Sequence, residues 1–332
     1  MSKSVLVVHN DFNSAAFAES NAGLKDQIDA VCQALGDLKV KYAVKSIKTI
    51  EQLANVLVKN KHQIVFNLVE ELPADITHAC FVPAVCRSFS RKFTGSDTPA
   101  LLLAQNKWQA KAILKAAGVP TPDGVFVPVG QKISAKNLTK GYYIVKPAFC
   151  DASEGITADS IVSLGGKKMS AAIEKIHSQF DQPAIVEQFI LGRELNISVL
   201  QCGKKIEVMP VAEIDFSTFK KGMPRIVDYA AKWHADSFEY QNTPRILPAK
   251  LPEKIAALIR QYAIGAFKAL DCKDYVRVDF RLSEENRLFV IEVNPNPDIT
   301  PEAGFASAIE AGGINYKKFI KILLKNTGEF KS

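Results

Sequence analysis

Paired cysteines and long apolar runs are both missing from this chain of 332 residues. None of its six cysteines forms a CxxC pair and no histidine cluster accompanies them, so neither a disulfide framework nor a zinc site is predicted. No stretch approaches the roughly 20 apolar residues that a membrane span requires. The apolar run in the N-terminal MSKSVLVVHN is too short for a signal peptide and is typical of a first β-strand. We therefore expect a cytoplasmic protein with reduced thiols and no membrane partner.

Signals for two common kinds of binding site are also lacking. The net charge of +7 is spread thinly, and no basic patch interleaved with aromatic residues indicates a nucleic-acid partner. Strand-like and helix-like segments alternate from VLVVH onward, which predicts a parallel sheet covered by helices. This βαβ pattern has no glycine-rich dinucleotide fingerprint, so no nicotinamide site is predicted. The surplus of positive charge is compatible with a small anionic substrate.

Segments of mixed character follow this N-terminal region. The passage FTGSDTPALLLAQNKW is rich in turn residues and is a candidate domain junction. The next helix is predicted between Asn106 as N-cap and Gly118 as C-cap. Strands are predicted in GYYIVKPAF and PAIVEQFI, and a hairpin in LNISVLQCGKKIEVMPVAEI. Between about 217 and 252 the chain is irregular and rich in proline and aromatic residues, which predicts a long functional loop.

A C-terminal hairpin, YVRVDFRLSEENRLFVIEVN, carries many charges for a strand pair that is otherwise apolar. Alternation puts the charged residues of its first strand on one face and the apolar residues on the other. If the turn spans Glu284 to Arg287, the register of the two strands follows. The opposed pairs are then Ser283 with Leu288, Asp279 with Glu292, and Arg277 with Asn294. Directly opposed residues project to the same face, so two carboxylates should face each other.

Two opposed carboxylates destabilise a hairpin unless a cation compensates their charge. A divalent ion would do so, because two carboxylates and the amide of Asn294 are the hard oxygen ligands that suit Mg²⁺ or Mn²⁺. Magnesium commonly takes its remaining ligands from water and substrate phosphates. The alternative is a salt-bridged hairpin in which Arg277 or Arg281 neutralises Asp279 and Glu292. The hairpin by itself leaves both interpretations open.

A second segment, YYIVKPAFCDASEGI, is suited to binding phosphates. Lys146 ends an apolar strand, and Pro147 stops that strand. The small polar loop from Cys150 to Gly155 can fold over phosphates with its backbone N–H groups. A lysine at a strand end otherwise extends its side chain to solvent. The adjoining loop and the downstream acids favour a phosphate-binding role for Lys146.

Taken together, these segments resemble an ATP-grasp enzyme, and most closely the D-alanine–D-alanine ligase group. The matching stretches occur in family order over roughly residues 60–325: NKWQAKAILKAAGVPTP, IVKPAFCDASEGI, VEQFILGRELNISVL, YAAKW, VRVDF and VIEVNPNPDIT. The resemblance implies a mixed α/β and α+β architecture, in which an N-terminal Rossmann-like parallel α/β domain precedes an ATP-grasp fold. The implied divisions are an N-terminal domain (1–97), a central small subdomain (98–185), and a C-terminal subdomain with the metal site and a lid loop (186–332).

The resemblance also implies a role for each matching residue. The residues implied to bind ATP are Lys107 and Lys146 at the phosphates, Ser153 in the phosphate loop, backbone groups of Glu187 and Ile190 at adenine, Glu194 at the ribose, and Lys232 at the γ-phosphate. The residues implied to hold one or two Mg²⁺ (or Mn²⁺) ions are Asp279, Glu292 and Asn294. Arg277 would stabilise the oxyanion of a tetrahedral intermediate. Cations at these positions would offset charge on the transferring phosphoryl group and on the oxyanion.

The reaction implied is the ATP-dependent, ADP-forming ligation of a carboxylate to an amine through an acyl phosphate, with amino acids as substrates. A lid carrying Lys232 would keep water from the acyl phosphate. One alternative is a true D-alanine–D-alanine ligase of cell-wall synthesis, and another is an ATP-binding protein or ATP-grasp kinase without ligase turnover. Arg277 argues against simple nucleotide binding, which would not need it. The resemblance also makes a homodimer possible, since homodimerisation is typical of the group.

The chain departs from the group in its substrate-binding segments. The departures are HNDFNSAAFAESNAG in place of an EREVS-type motif, Ala152 in place of serine, Trp233 in place of tyrosine, and a changed segment that includes Asp298, Thr300 and Glu302. Thr300 and Pro301 predict the start of a helix, which could receive a substrate carboxylate. Asp298 and Glu302 either favour that helix dipole or select an amine-bearing acceptor. We therefore predict a ligase that joins something other than two D-alanines.

Overall fold

The computed structural model describes residues 4–11, 18–73, 75, 77–134, 138–150 and 153–330, with the side chains of the first helix described from residue 23 onward. These residues form three β-sheets, each with helices packed against it. None of the helices in these ranges combines the length and apolar character needed to cross a bilayer.

The first sheet is parallel, as the alternating N-terminal pattern predicts. Its strands are β1 (Ser4–Asn10), β2 (Lys41–Ile47), β3 (Ile64–Leu68) and β4 (Lys92–Phe93), in the order β2-β1-β3-β4. The helices that cover it are α1 (Ala18–Asp37), α2 (Ile50–Lys59) and α3 (Val82–Ser88). The run VLVV has no polar alternation because both its faces are buried: Val5 and Val7 share a core with α1, whereas Leu6 and Val8 share one with α2 and α3.

The second sheet is small and antiparallel. Its strands are β5 (Gly124–Val127), β6 (Tyr142–Pro147), β7 (Ile161–Ser163) and β8 (Ala184–Gln188), in the order β5-β8-β6-β7. Helix α6 (Lys167–Phe180) packs its Met169, Ile173 and Ile176 side chains on one face of the sheet, against Val145 and Val186. Alternation along β6 and β8 directs the neighbouring side chains to the opposite face. That face carries the polar residues described below.

The third sheet is larger and completes the C-terminal region. Its strands are β9 (Gly192–Cys202), β10 (Lys205–Val208), β11 (Ala212–Ile214), β12 (Arg245–Ile246), β13 (Tyr275–Ser283) and β14 (Leu288–Asn294). They follow the order β12-β11-β9-β13-β14, with β10 paired to β9. The helices in this region are α4 (Thr98–Gln105), α5 (Lys107–Ala116), α7 (Tyr229–Trp233), α8 (Phe238–Gln241), α9 (Glu253–Ala269), α10 (Gly304–Ala311) and α11 (Tyr316–Asn326).

Cap positions explain where several of these elements begin. Asn106 accepts a hydrogen bond from the Gln109 N–H and caps α5, as predicted, and Gly118 follows the helix at a φ of +74°. The turn-rich passage before it contains helix α4, which the sequence interpretation missed. Asp97 caps α4 by accepting from the Thr98 N–H. The stretch 217–252 likewise contains the short elements α7, α8 and β12.

Candidate active site

A cavity of about 350 Å³ lies between the second and third sheets. Its lining includes every residue that the sequence associates with ATP, metal or catalysis: Lys107, Lys146, Ser153, Glu187, Ile190, Glu194, Lys232, Arg277, Asp279, Glu292 and Asn294. These residues come from the elements α5, β6, β8, β9, α7, β13 and β14 and from the loops between them. The fold therefore gathers residues that lie up to 187 positions apart in the chain, counting from Lys107 to Asn294.

Strands β13 and β14 place Asp279 directly opposite Glu292, as predicted. The observed pairs are Leu282 with Leu288, Arg281 with Phe289, Phe280 with Val290, Asp279 with Glu292, and Arg277 with Asn294. The predicted pairing of Ser283 with Leu288 is wrong by one residue. A bulge next to Asp279 adds one residue, Ile291, to β14 and restores the register at the two acids.

Basic side chains compensate both acids. Arg277 binds Asp279 in a bidentate manner: its Nε donates to Oδ1 at 2.8 Å and its Nη2 donates to Oδ2 at 2.8 Å. Lys107 Nζ lies 3.1 Å from Glu292 Oε1. Burial alone would raise the pKa of Glu292, but Lys107, Lys146 and Arg277 outweigh it and lower the pKa to about 2. Glu292 is therefore ionised at neutral pH and is able to bind a cation.

The donor set also fits a hard divalent ion. Within the described ranges, no three histidine, cysteine, aspartate or glutamate side chains cluster as metal ligands. A third protein ligand beside the two opposed carboxylates would therefore be the amide of Asn294, which the register places next to Glu292 on the same strand face. Its Oδ1 accepts one hydrogen bond from the Asn296 N–H at 2.9 Å, and an amide oxygen has a second lone pair.

Glu187 lies buried between two lysines. Lys146 Nζ is 2.6 Å from its Oε1, and Lys111 Nζ is 3.0 Å from its Oε2. Burial would raise the pKa of Glu187, but the two ammonium groups outweigh it and lower the pKa. Burial also lowers the pKa of Lys111 to about 8, although Glu187 opposes this shift. Lys111 was not predicted; its position one helical turn after Lys107 was the available signal.

Glu194 and Arg281 form another ion pair in the cavity wall. Arg281 Nη1 lies 3.0 Å from Glu194 Oε2, and the two residues pair across β9 and β13. Arg281 also donates to the carbonyl oxygens of Ile190 and Arg225 at 3.0 and 2.8 Å. Of the two arginines in the salt-bridge interpretation, Arg277 does neutralise a hairpin acid, Asp279, whereas Arg281 does not, because its partner Glu194 lies on the neighbouring strand β9.

The loop after β6 is held over the cavity by contacts at both ends. Lys107 Nζ donates a short hydrogen bond to the Cys150 carbonyl oxygen. Ser153 Oγ donates to the Val227 carbonyl oxygen at 2.8 Å. Gly155 has a φ of +72°, and a methyl group there would lie 2.8 Å from Cγ of Pro147, so only glycine fits. Residues 151 and 152, and hence the Ala152 departure, lie outside the described residues.

The segment with Lys232 docks onto this loop. Helix α7 begins at Tyr229, and Asp228 caps it by accepting from the Ala231 N–H. The Tyr229 N–H donates to the Ile156 carbonyl oxygen at 3.1 Å, next to the Ser153 contact. Lys232 projects into the cavity with its Nζ 5.4 Å from the ring centroid of Trp233. Trp233 itself is not among the residues that line the cavity.

The segment after β14 differs from its prediction. Helix α10 begins at Gly304, so Thr300 is not its N-cap and Pro301 is not its first residue. The physical reason is local: Asp298 Oδ1 accepts from both the backbone N–H and the hydroxyl of Thr300, at 2.8 and 2.6 Å, and these bonds form a turn. Asp298, Thr300 and the exposed Glu302 do not line the cavity. Residues 12–17 and the side chains of 18–22, where an EREVS-type motif would fall, lie outside the described part.

Two further cavity residues were missed in the sequence. Asn196 on β9 donates to Asp279 Oδ1 at 2.8 Å, and the pairing of β9 with β13 places it there. Arg245 on β12 lines the cavity together with Arg277. Both depend on strand neighbours that are far apart in sequence, so neither carries a local signal.

A parallel α/β domain followed by two antiparallel sheets with a lysine- and acid-lined cavity between them is the organisation of an ATP-grasp ligase. An ATP-bound D-alanine–D-alanine ligase structure from Bacillus anthracis superposes with a TM-score of 0.75 over 98% of this chain and 97% of that chain, at 16% identity. This likeness confirms the predicted fold.

Sequence comparison identifies the family. The model for the D-ala D-ala ligase C-terminus matches residues 113–325, and the chain therefore belongs to this family of ADP-forming ligases that use ATP to make carbon–nitrogen bonds. A D-alanine–D-alanine ligase of Carboxydothermus hydrogenoformans is 33% identical over 239 residues, 70% of this chain and 72% of the relative. A Sinorhizobium fredii protein described as uncharacterized, y4sG, is 28% identical over 263 residues, 79% of this chain and 73% of its own length.

Proposed function

We propose that this ligase joins two amino acids, activating the carboxylate of one as an acyl phosphate and coupling it to the amine of the other. The observation that carries the proposal is the constellation at the end of the hairpin. Arg277 lies beside two opposed carboxylates, and Lys107 contacts one of them, all in the wall of one cavity. These groups suit phosphoryl transfer, in which positioned positive charge provides most of the transition-state stabilisation.

The nucleotide side of the cavity would use the second sheet and the start of α5. Lys107 and Lys146 would contact the phosphates, and Ser153 would help to hold the loop above them. Backbone groups of Glu187 and Ile190 would meet adenine. Support for this assignment comes from the contacts of Lys146 with Glu187 and of Lys107 with Glu292, which hold both lysine head groups in the cavity wall.

The ribose and the γ-phosphate would be bound by the third sheet and the lid. Glu194, held by Arg281, would accept from the ribose hydroxyls. Lys232 would reach the γ-phosphate from the docked segment. The contacts between this segment and the phosphate loop would exclude water while the acyl phosphate exists.

The metal side would use Asp279, Glu292 and Asn294 to hold Mg²⁺ or Mn²⁺, as one or two ions. When bound, the ion would supply positive charge to the phosphate oxygens. Arg277 would stabilise the oxyanion that develops when the amine attacks. Its fork on Asp279 would keep the guanidinium at a fixed place beside the reacting carbonyl.

The substrate pair differs from two D-alanines in this proposal. The motivation is the changed EREVS region, Trp233 after the lid lysine, and the turn built by Asp298 and Thr300. A phosphate-release screen over pairs of amino acids and amines, with product masses, identifies the substrates. Efficient formation of D-Ala-D-Ala from D-alanine alone would contradict this part. Phosphate release that does not depend on an added amine would indicate a kinase instead.

The division of the chain into 1–97, 98–185 and 186–332 is part of this proposal. The order of the three sheets along the chain supports this division. Against its exact bounds, α4 and α5 pack with the third sheet, and the second boundary falls within β8. Homodimerisation and a cytoplasmic location stay predictions.

A further inference from the structure

Arg245 differs from the other two arginines of the cavity wall in its contacts with the described residues. It lies at the start of β12, which pairs it with Ile214 of β11, and both residues line the cavity. Two other cavity arginines each hold a carboxylate: Arg277 that of Asp279, and Arg281 that of Glu194. Among the residues that the structure describes, Arg245 makes neither an ion pair nor a side-chain hydrogen bond. The carboxylate of Asp298 acts on this guanidinium electrostatically but forms neither an ion pair nor a hydrogen bond with it, so the fork of donors is open to an anion.

The position of this guanidinium is fixed by a glycine. A methyl group built on Gly304 would lie 3.1 Å from Nη2, 3.2 Å from Cζ and 3.3 Å from Nε of Arg245. These three similar distances mean that the guanidinium plane lies against the first residue of α10. A side chain at position 304 would push it away. The absence of a side chain at Gly304 therefore makes room for Arg245.

The surroundings of Arg245 favour an anion in front of it. Arg277 contributes a second guanidinium to the same cavity, and its charge is largely committed to Asp279. The N-terminal end of α10 adds partial positive charge at Gly304. Like charges in one place repel each other, so an anionic group in the cavity would lower the electrostatic energy. A planar guanidinium binds a carboxylate through two parallel hydrogen bonds.

We propose that Arg245 receives the carboxylate of the amine substrate and is thereby a specificity-determining residue of the ligase. The inference rests on the proposed function and names which group recognises the acceptor. Arg277 would lie beside the reacting carbonyl of the donor. Arg245, in the same cavity wall, would bind the carboxylate of the acceptor. The amine nitrogen forms the C–N bond while the C–O bond to phosphate breaks. Phosphate leaves with the bonding electrons, and a proton passes to solvent.

The test compares acceptors with and without a carboxylate. ADP release is measured with saturating ATP and Mg²⁺, the donor found in the screen, and either the acceptor amino acid or its amide. We expect the wild type to prefer the acid. Arg245→Met should raise the KM for the acid by roughly 10–100-fold, as loss of a charged hydrogen-bonded pair does, and should abolish the preference. The KM for ATP should stay unchanged.

Two further variants and a control separate recognition from folding. Arg245→Lys should keep the charge but lose the fork, and give an intermediate preference for the acid. Gly304→Ala should weaken acid binding without removing the arginine. Arg260→Met, on an exposed position of α9, is the matched control and should behave as wild type. An unchanged acid preference in Arg245→Met, or an effect confined to the KM for ATP, would overturn the inference.

A binding measurement tests Arg245 if the screen finds no donor that is turned over. Absence of turnover would contradict the proposed function, not the role of Arg245. Calorimetric titration of the protein with ADP and Mg²⁺ then compares D-alanine, L-alanine and D-serine with their amides. Tighter binding of an acid than of its amide, lost in Arg245→Met, supports the inference. Equal binding of every acid and its amide to the wild type contradicts it.

Discussion

Lys146 and Glu187 lie 2.6 Å apart at the base of the cavity, and Lys111 holds the other oxygen of the same carboxylate at 3.0 Å. Glu187 is only 3% exposed, so water could not solvate the two ammonium groups if this carboxylate were removed. The carboxylate therefore has two tasks. It stabilises buried charge, and it fixes the lysine that we assign to the phosphates.

Glu187→Gln should destabilise the protein, because two buried ammonium groups lose their counter-ion. Breaking a buried ion pair from one side costs about 3–5 kcal/mol. The free energy of unfolding from urea titration should fall by this order, and ATP affinity should fall with it. Adding Lys111→Met to this variant should recover part of the stability. Glu174→Gln, on an exposed position of α6, should have no effect; wild-type stability in Glu187→Gln would refute the argument.

Glu292→Gln tests the metal assignment. The amide keeps the shape of the side chain but removes the negative charge opposite Asp279, so Mg²⁺-dependent turnover should fall by at least ~100-fold. The circular dichroism spectrum should stay that of the folded protein. Chelation by EDTA should abolish wild-type turnover, and added Mg²⁺ should restore it. Glu284→Gln, exposed in the hairpin turn, is the control. Near wild-type activity of Glu292→Gln would remove the metal site.

The thiol of Cys150 should be unreactive despite its place in the phosphate loop. Burial, reinforced by the charge of Glu154, raises its pKa to about 12. At pH 8 only about one thiol in 10⁴ is then a thiolate, which is the nucleophilic form. Iodoacetamide at pH 8 should leave Cys150 unmodified in the folded protein and modify it fully in urea, as peptide mass spectrometry reports. Rapid labelling of the folded protein would contradict this.

Asp274 should make the protein less stable as the pH rises. Burial raises its pKa from 3.8 to about 6, although the Gly95 N–H donates to it at 2.7 Å and opposes the shift. Between these two values the folded protein holds a proton that the unfolded chain has lost, so stability falls with pH and is constant above about 6. The loss is on the order of 3 kcal/mol.

Asp274→Asn removes this titration and keeps an oxygen that can accept from Gly95. Urea titrations at pH 4.5 and 7.5 should therefore show a stability advantage of the variant that is larger at pH 7.5. An advantage that is the same at both pH values would show that Asp274 does not titrate in this range.

Patterns within one strand or one helix predicted most of the fold and much of the cavity. The alternation in YVRVDFRLS placed Asp279 on the polar face and Phe280 in the core, and both are found there. The Asn106 cap was predictable for the same reason, since it depends on neighbours close in sequence, and the parallel N-terminal sheet followed from the alternation of strand and helix segments.

Features that depend on strand neighbours were not predictable. The bulge at Ile291 leaves no mark in the sequence, and the correct pairing of the acids followed from a turn register that was itself wrong by one residue. The partner of Arg281 is Glu194, on a strand that is far away in sequence. Helix α10 begins later than predicted, since Asp298 binds Thr300 and competes for its cap role.

The first and third sheets share a hydrophobic core, whereas the second sheet has a core of its own. Helices α1 and α11 and the side chains of Val5, Leu200 and Tyr275 belong to one core, which joins the first sheet to the third. The core under α6 contains only residues of the second sheet and its own connections. Hydrogen exchange with and without an ATP analogue should therefore change mainly in β6 and β8, and equal changes in β1 would contradict this.

In mechanical terms, the first and third sheets form a single body, and the second sheet is attached to it through the chain segments just before β5 and just after β8. We therefore expect the second sheet, as the smaller unit, to be the part that moves if the cavity opens. Lys146 belongs to this unit, whereas Lys107 lies on α5, which packs with the third sheet, so opening the cavity would separate the two lysines that we assign to the phosphates.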